Sequence, residues 1–160
     1  MKIIDNFLDQ ETFSSLKEML ERYDFGWFLS QGVTDLSNPN KEHYNFVHLF
    51  YVNHKVNSKY FDSLKPILEK LNVKSLIRIK SNLYPKTSKI VQHDFHTDFP
   101  YSHKAALLMM NTNNGFTIMN DDKKVKTIEN RMLLFDASKP HKSTTCTNEK
   151  YKINIIFNYF

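Results

Sequence analysis

Between residues 91 and 100 the chain reads VQHDFHTDFP, which places two histidines and two aspartates within six positions. Imidazole and carboxylate side chains bind metals and carry protons, so their spacing decides what they can do together. In extended chain, residues two apart point to the same side. His96 and Asp98 then converge on one point, while His93 and Phe95 face the other way. Asp94 is in phase with His96 and is the local rival for the carboxylate. A third ligand must come from elsewhere, and His141 is the candidate. It follows the apolar run RMLLFDA and a Ser-Lys-Pro turn, which place it at the start of a strand.

Two imidazoles and one carboxylate on one face of a metal leave neighbouring coordination positions open, the arrangement of non-haem iron(II) oxygenases. A short His-x-Asp triplet arises readily by chance, so it needs the surrounding chain to give it meaning. His43, His48, His54 and His103 are scattered and form no second set.

The elements that must position these residues can be read from periodicity. Asp9 is placed to cap a helix whose apolar positions Phe13, Leu16, Leu20 and Tyr23 recur at helical spacing. A second helical stretch begins near Ser58 with Phe61, Leu64, Ile67, Leu68 and Leu71, and Pro66 inside it predicts a kink or a break. From residue 74 the helical period disappears. SLIRIKSNLYP alternates imperfectly, KAALLMMN suits a strand buried on both faces, and GFTIM, RMLLFDA and KINIIFNYF follow between turn-rich segments. The expectation is one domain, 1–160, mainly β with N-terminal helices: a helical buttress at about 9–72 and a β core at about 74–160.

With 41% apolar and 14% aromatic residues, the chain has the composition of a globular domain. The single cysteine, Cys146, predicts no internal disulfide and a reducing, cytoplasmic setting. No apolar run reaches the roughly 18 residues of a membrane span, and the first residues lack a secretory pattern. The net charge of +5 comes from 22 basic residues of which only Arg22, Arg78 and Arg131 are arginine. Scattered lysines disfavour a base-reading surface, which uses arginine forks.

Taken together, these segments resemble the 2-oxoglutarate- and iron(II)-dependent dioxygenases, in their prolyl 4-hydroxylase-like branch. IIDNFLDQETFSSL is similar to the family's opening strand and helix. IRIKSNLYPKTSKIVQHDFHTD resembles its Tyr-Pro turn and His-x-Asp segment. NGFTIMNDDKKVKTIENRMLLFDASKPH resembles the path to the distal histidine, and KYKINIIFNY the closing strand. The resemblance implies a double-stranded β-helix (jelly-roll, cupin-like) and His96, Asp98 and His141 as iron ligands. It implies Tyr84 as a cosubstrate-pocket residue and a basic residue on the last strand for the far carboxylate of 2-oxoglutarate. Lys150 and Lys152 both meet that description and parity does not choose between them. Lys152 opens the apolar run INIIF, as the family's basic residue does, and is favoured.

The activity so implied is hydroxylation of a substrate carbon with release of succinate and carbon dioxide, using Fe(2+), 2-oxoglutarate and O2, with ascorbate in support. The branch points to a peptidyl proline, hydroxylated at C4. Alternatives are a free amino acid, a small metabolite or a nucleic acid, or a catalytically silent β-barrel binding module. A nucleic acid is disfavoured because no arginine follows Arg131. Met109 falls where relatives often carry a second tyrosine. Thr117 and Thr145 are expected to face the pocket, and Lys104 and Arg131 to have surface or structural roles.

Overall fold

A computed structural model describes residues 1–33 and 44–160; His43 lies outside the described residues. The described elements are β1 (Lys2–Ile4), α1 (Gln10–Glu21), β2 (Phe28–Ser30), β3 (Asn45–Val52), β4 (Lys55–Val56), a 3₁₀ turn (Phe61–Leu64) and α2 (Lys65–Lys70). They continue with β5 (Leu76–Pro85), β6 (Lys104–Met109), β7 (Phe116–Met119), β8 (Lys124–Lys126), β9 (Arg131–Asp136), β10 (His141–Ser143) and β11 (Tyr151–Tyr159). The fold is mainly β. An eight-stranded sheet runs in the order β1-β9-β6-β11-β5-β3-β2, with β4 beside β3, and a three-stranded sheet runs β10-β7-β8.

Helix α1 starts where its capping residue predicts, since the Asp9 side chain accepts from the Thr12 amide at 2.9 Å. Its buried face is Phe13, Leu16, Met19 and Leu20. Tyr23 does not join it: the helix ends at Glu21 and Tyr23 is exposed. Pro66 lies in the first turn of α2, where its missing N–H costs nothing, so the stretch divides into a 3₁₀ turn and a short α-helix.

The span 9–72 differs from a purely helical buttress, because β2, β3 and β4 lie inside it. NFVHLFYV is rich in β-branched and aromatic residues. The next two residues, Asn53 and His54, both adopt positive φ (51° and 60°) and turn the chain back into β4. Two left-handed residues match the twist of a tight hairpin.

Packing forms three layers. On one side of the large sheet, α1, the 3₁₀ turn and α2 bury Phe13, Leu16, Leu20, Leu64 and Ile67 against Ala106, Leu108, Met132, Ile153, Ile155 and Phe157. On the other side Ala105, Leu107, Met109, Leu133, Phe135 and Ile156 meet Met119 and Val125 of the small sheet. β6 serves both layers with successive residues, so its run is apolar throughout. A register shift where Tyr159 pairs Leu76 explains the imperfect alternation of β5. It lets Leu76 and Ile79, three apart, pack into the same helical-side core.

Candidate metal centre and its pocket

The space between the two sheets holds the site. His96 and His141 stand directly opposite each other in an antiparallel bridge, exchanging both backbone hydrogen bonds at 3.0 and 2.9 Å. Their rings lie 4.6 Å apart. The segment carrying His96 and Asp98 makes isolated bridges and no continuous strand. Its course is fixed by the His93 and His96 amides, which donate to Ser143 and His141 at 3.0 Å, and by the Asp98 amide, which donates to Ala137 at 3.2 Å. β10 begins at His141.

One ligand atom from each of His96, Asp98 and His141 lies within 4.8 Å of the others. Among the described residues this is the one group of three such side chains close enough to hold a metal ion. Asp94, the local rival, is exposed and outside the group. His93 is buried, stacked on Tyr84 at 5.2 Å, with its Nδ1 2.7 Å from the Ser143 hydroxyl.

Neighbouring groups orient each member. His141 Nδ1 is 3.1 Å from the Lys139 carbonyl and His96 Nδ1 is 3.4 Å from that of Asp94, the second contact being long. With Nδ1–H donating to these carbonyls, both Nε2 lone pairs are left free to ligate. Arg78 Nη2 donates to Asp98 Oδ1 at 2.9 Å, and Asn158 Nδ2 donates to Oδ2 at 2.8 Å. Burial alone would raise the Asp98 carboxyl, but Arg78, His141 and the Asn158 hydrogen bond outweigh it and hold it below its ordinary value. Burial, with His141 beside it, pushes His96 down to about 4. The set is thus a carboxylate and a neutral imidazole at neutral pH, the forms that ligate.

The inward-facing residues of β5 and β11 form rungs across the pocket floor. Their register pairs Asn158 with Arg78, Ile156 with Lys80, Asn154 with Asn82 and Lys152 with Tyr84. Asn82 Nδ2 donates to Asn154 Oδ1 at 2.9 Å. The cavity beside the triad is lined by Lys80, Asn82, Tyr84, Thr117, Phe135 and Asn154.

Lys152 is 1% exposed, while Lys150 precedes β11 and is exposed. The Lys152 ammonium donates to the carbonyls of Phe116 (3.1 Å) and Thr144 (3.0 Å) and lies 5.8 Å from the Tyr84 ring. Gly115 makes room for it, since a Cβ there would stand 2.6 Å from the Thr145 oxygen and 3.2 Å from Lys152 Cδ. Burial lowers Lys152 to about 7 and raises Tyr84 to about 12, so the phenol keeps its proton. Three ligand atoms of the right type and a cradled lysine fit iron(II) and a dicarboxylate. His96, Asp98 and His141 would hold the metal, and Lys152 with Tyr84 the far carboxylate.

Other positions take structural roles. Thr145 Oγ1 contacts Thr87 at 2.6 Å and accepts from the Val91 amide at 2.9 Å. Arg131 pairs with Asp5 and Lys104 is exposed. Met109 packs in the core between the sheets. His48 is held between the Gly26 carbonyl and Ser58 at 2.7 Å each, and His103 Nε2 lies 3.3 Å from Asn158 Nδ2. Arg78, Lys80, Asn82, Asn154 and Asn158 escape a motif-based reading. Their available signal was a partial alternation, with polar residues at 78, 80 and 82 of β5 and at 152, 154 and 158 of β11, interrupted by Ser81 and Ile156.

No protein-family model matches the sequence, and neither does any curated protein. Solved structures do match. A prolyl hydroxylase from Trichoplax adhaerens, in complex with a hypoxia inducible factor oxygen degradation domain peptide fragment, is 17% identical with a TM-score of 0.69, covering 99% of this chain and 82% of its own. A 2OG-Fe(II) oxygenase family oxidoreductase from Burkholderia pseudomallei is 10% identical with a TM-score of 0.73, covering 98% and 83%. A prolyl-4-hydroxylase from Pseudomonas putida is 10% identical with a TM-score of 0.67, covering 99% and 91%. Over nearly its whole length the chain has the fold of these oxygenases.

Proposed function

We propose that the protein is an iron(II)- and 2-oxoglutarate-dependent dioxygenase of the prolyl 4-hydroxylase-like branch. It is a single domain, 1–160, with a double-stranded β-helix core, and it hydroxylates a proline within a peptide. The observation that carries this reading is the convergence of His96, Asp98 and His141 on a cavity that Tyr84 lines, with the buried Lys152 paired to Tyr84 across the strands. When bound, iron(II) and 2-oxoglutarate supply the oxidising chemistry, with succinate and carbon dioxide as coproducts.

The residues of this chain supply position and charge. Arg78 and Asn158 fix the Asp98 carboxylate, and the Lys139 and Asp94 carbonyls set the imidazoles. The Lys152 ammonium, desolvated beneath the small sheet, attracts an anion more strongly than a surface lysine would. Tyr84 keeps its proton and offers it as a hydrogen-bond donor. Phe135 packs edge-on against His141 at 4.8 Å and shields that side of the centre from water. Support for a peptide substrate comes from the prolyl hydroxylases of the same fold, one of which was solved with a peptide. An extended proline peptide is preorganised and loses little entropy on binding. The setting we propose is cytoplasmic. No helix among the described residues is long and apolar enough to cross a membrane.

The test is incubation with iron(II), 2-oxoglutarate, ascorbate and a panel of proline-containing peptides, followed by mass spectrometry. A peptide gaining one oxygen, with matching succinate, is expected. Formaldehyde release from methylated oligonucleotides with no oxygenated peptide overturns the substrate. Absence of any iron-dependent 2-oxoglutarate turnover, uncoupled turnover included, overturns the enzyme.

A further inference from the structure

One inward-facing cation on β5 is left over once the triad and Lys152 are accounted for. Every other polar residue on that face has a partner: Arg78 has Asp98 and Asn158, Asn82 has Asn154, and Tyr84 has Ser143. Lys80 lines the same cavity as the triad and, among the described residues, makes no hydrogen bond or ion pair. The charges that act on it are Arg78 and Asp98, which already neutralise each other at 2.9 Å.

A partly buried ammonium with no ion-pair partner of its own among the described residues is unfavourable unless something anionic arrives. The imbalance grows once a divalent cation occupies the triad beside it. Lys80 and Tyr84 are four residues apart on β5, and Lys152 sits opposite Tyr84. At about 3.4 Å per residue the two lysine-bearing rungs are roughly 14 Å apart, with Lys80 at the triad end of the cavity. Lys152 is held at its own end by the Phe116 and Thr144 carbonyls, so the span between the two rungs is long enough for a short dicarboxylate. Asn82 and Asn154 fill the intervening rung and are already bonded to each other, so they do not supply the missing charge.

We propose that Lys80 is a second carboxylate-binding residue, placed at the triad end of the cavity and separate from Lys152. The molecule held beside the metal ligands therefore presents a carboxylate to β5. This rests on the dioxygenase reading above. The carboxylate comes either from the cosubstrate's metal-proximal end or from the primary substrate, and binding measurements separate the two.

The experiment measures Mn(2+) binding by paramagnetic resonance and ligand binding by calorimetry, on the whole protein and on its Lys80→Met, Lys80→Arg and Lys152→Met variants. Ligand probes are 2-oxoglutarate with Mn(2+) present, then N-acetylproline against N-acetylprolinamide with both present. Lys80→Met keeps the apolar stem and removes the charge. It is expected to bind Mn(2+) alone more tightly, a change that loss of packing would not produce. If the carboxylate is the cosubstrate's, Lys80→Met weakens 2-oxoglutarate roughly tenfold or more and Lys80→Arg restores it. If it is the substrate's, 2-oxoglutarate affinity holds and the preference for N-acetylproline over its amide disappears. Unchanged Mn(2+), 2-oxoglutarate and N-acetylproline binding in Lys80→Met, while Lys152→Met loses 2-oxoglutarate, overturns the proposal and leaves the dioxygenase standing. A wild-type protein that binds neither Mn(2+) nor 2-oxoglutarate overturns both.

Discussion

Ile153, Ile155, Phe157 and Tyr159 point from β11 into the helical-side core, while Lys152, Asn154 and Asn158 of the same strand point between the sheets. Both sides are buried, since every residue from Lys152 to Tyr159 has little exposure. Burial therefore does not explain the difference. The outer face is built as interiors usually are, from shapes that interlock without polar atoms. The inner face buries an ammonium and two amides, groups that are costly in an interior unless partnered. β5 repeats the contrast, with Ile79 outward and Arg78, Lys80, Asn82 and Tyr84 inward. One side of the central strand pair serves stability, and the other gives some of it up to carry buried polar and charged groups toward the triad.

The sharpest way to break this contrast is at the triad. His96→Ala is expected to abolish Mn(2+) and iron(II) binding while thermal unfolding stays cooperative. His93→Ala, which removes a buried ring from Tyr84, is expected to lower the melting temperature and keep the metal. Metal retained in His96→Ala but lost in His93→Ala would reverse the assignment.

On the outer face, Phe157→Ala removes a fully buried ring and is expected to cost about 3–5 kcal/mol in urea unfolding. Its metal and 2-oxoglutarate affinities, measured well below the unfolding midpoint, should match the wild type. A large fall in affinity with little loss of stability would mean that the two faces are not separable.

On the inner face the sign should invert. Lys152→Met replaces a buried ammonium by an apolar chain of similar length and is expected to stabilise, because it removes a desolvated charge that has no ion-pair partner among the described residues. The same variant should lose 2-oxoglutarate binding. Acidity sharpens the comparison further. Unfolded, this lysine holds its proton to about 10.5; folded, burial lowers that to about 7. Between those values the unfolded chain binds the extra proton, so wild-type stability rises with pH across the window relative to Lys152→Met. Binding of 2-oxoglutarate needs the charged form and should weaken as pH rises above about 7. Melting curves and titrations from pH 6 to 10 that move in the same direction would contradict the assignment.

The parts of the fold that were legible in the sequence are those governed by local chemistry. Asp9 announces α1, Pro66 divides the second helical stretch, and the unbroken apolar run of β6 marks a strand covered on both sides. The strands β2–β4 went unread because NFVHLFYV sits between two helical patterns and its hairpin turns on Asn53-His54, where no glycine advertises left-handed backbone. At the site, His96, Asp98 and His141 were legible because their chemistry restricts the residue types. Which of Lys150 and Lys152 is buried depends on where β11 begins, and parity could not supply that. Arg78 and Asn158, which fix Asp98, were illegible for a different reason. They sit 20 and 60 residues from it and meet it only through the pairing of β5 with β11.

The order of the strands has a kinetic consequence. β11 lies in the middle of the large sheet, between β5 and β6, yet it follows both in the chain. Until it inserts, β5 and β6 each present an open edge, and the pairings that close them span dozens of residues. Such distant pairings are slow to form and leave sticky intermediates exposed meanwhile. The insertion that completes the sheet also delivers Lys152, Asn154 and Asn158 to the pocket in one event. A partly folded chain thus lacks these inward-facing polar groups, and the pocket wall is completed together with the finished fold.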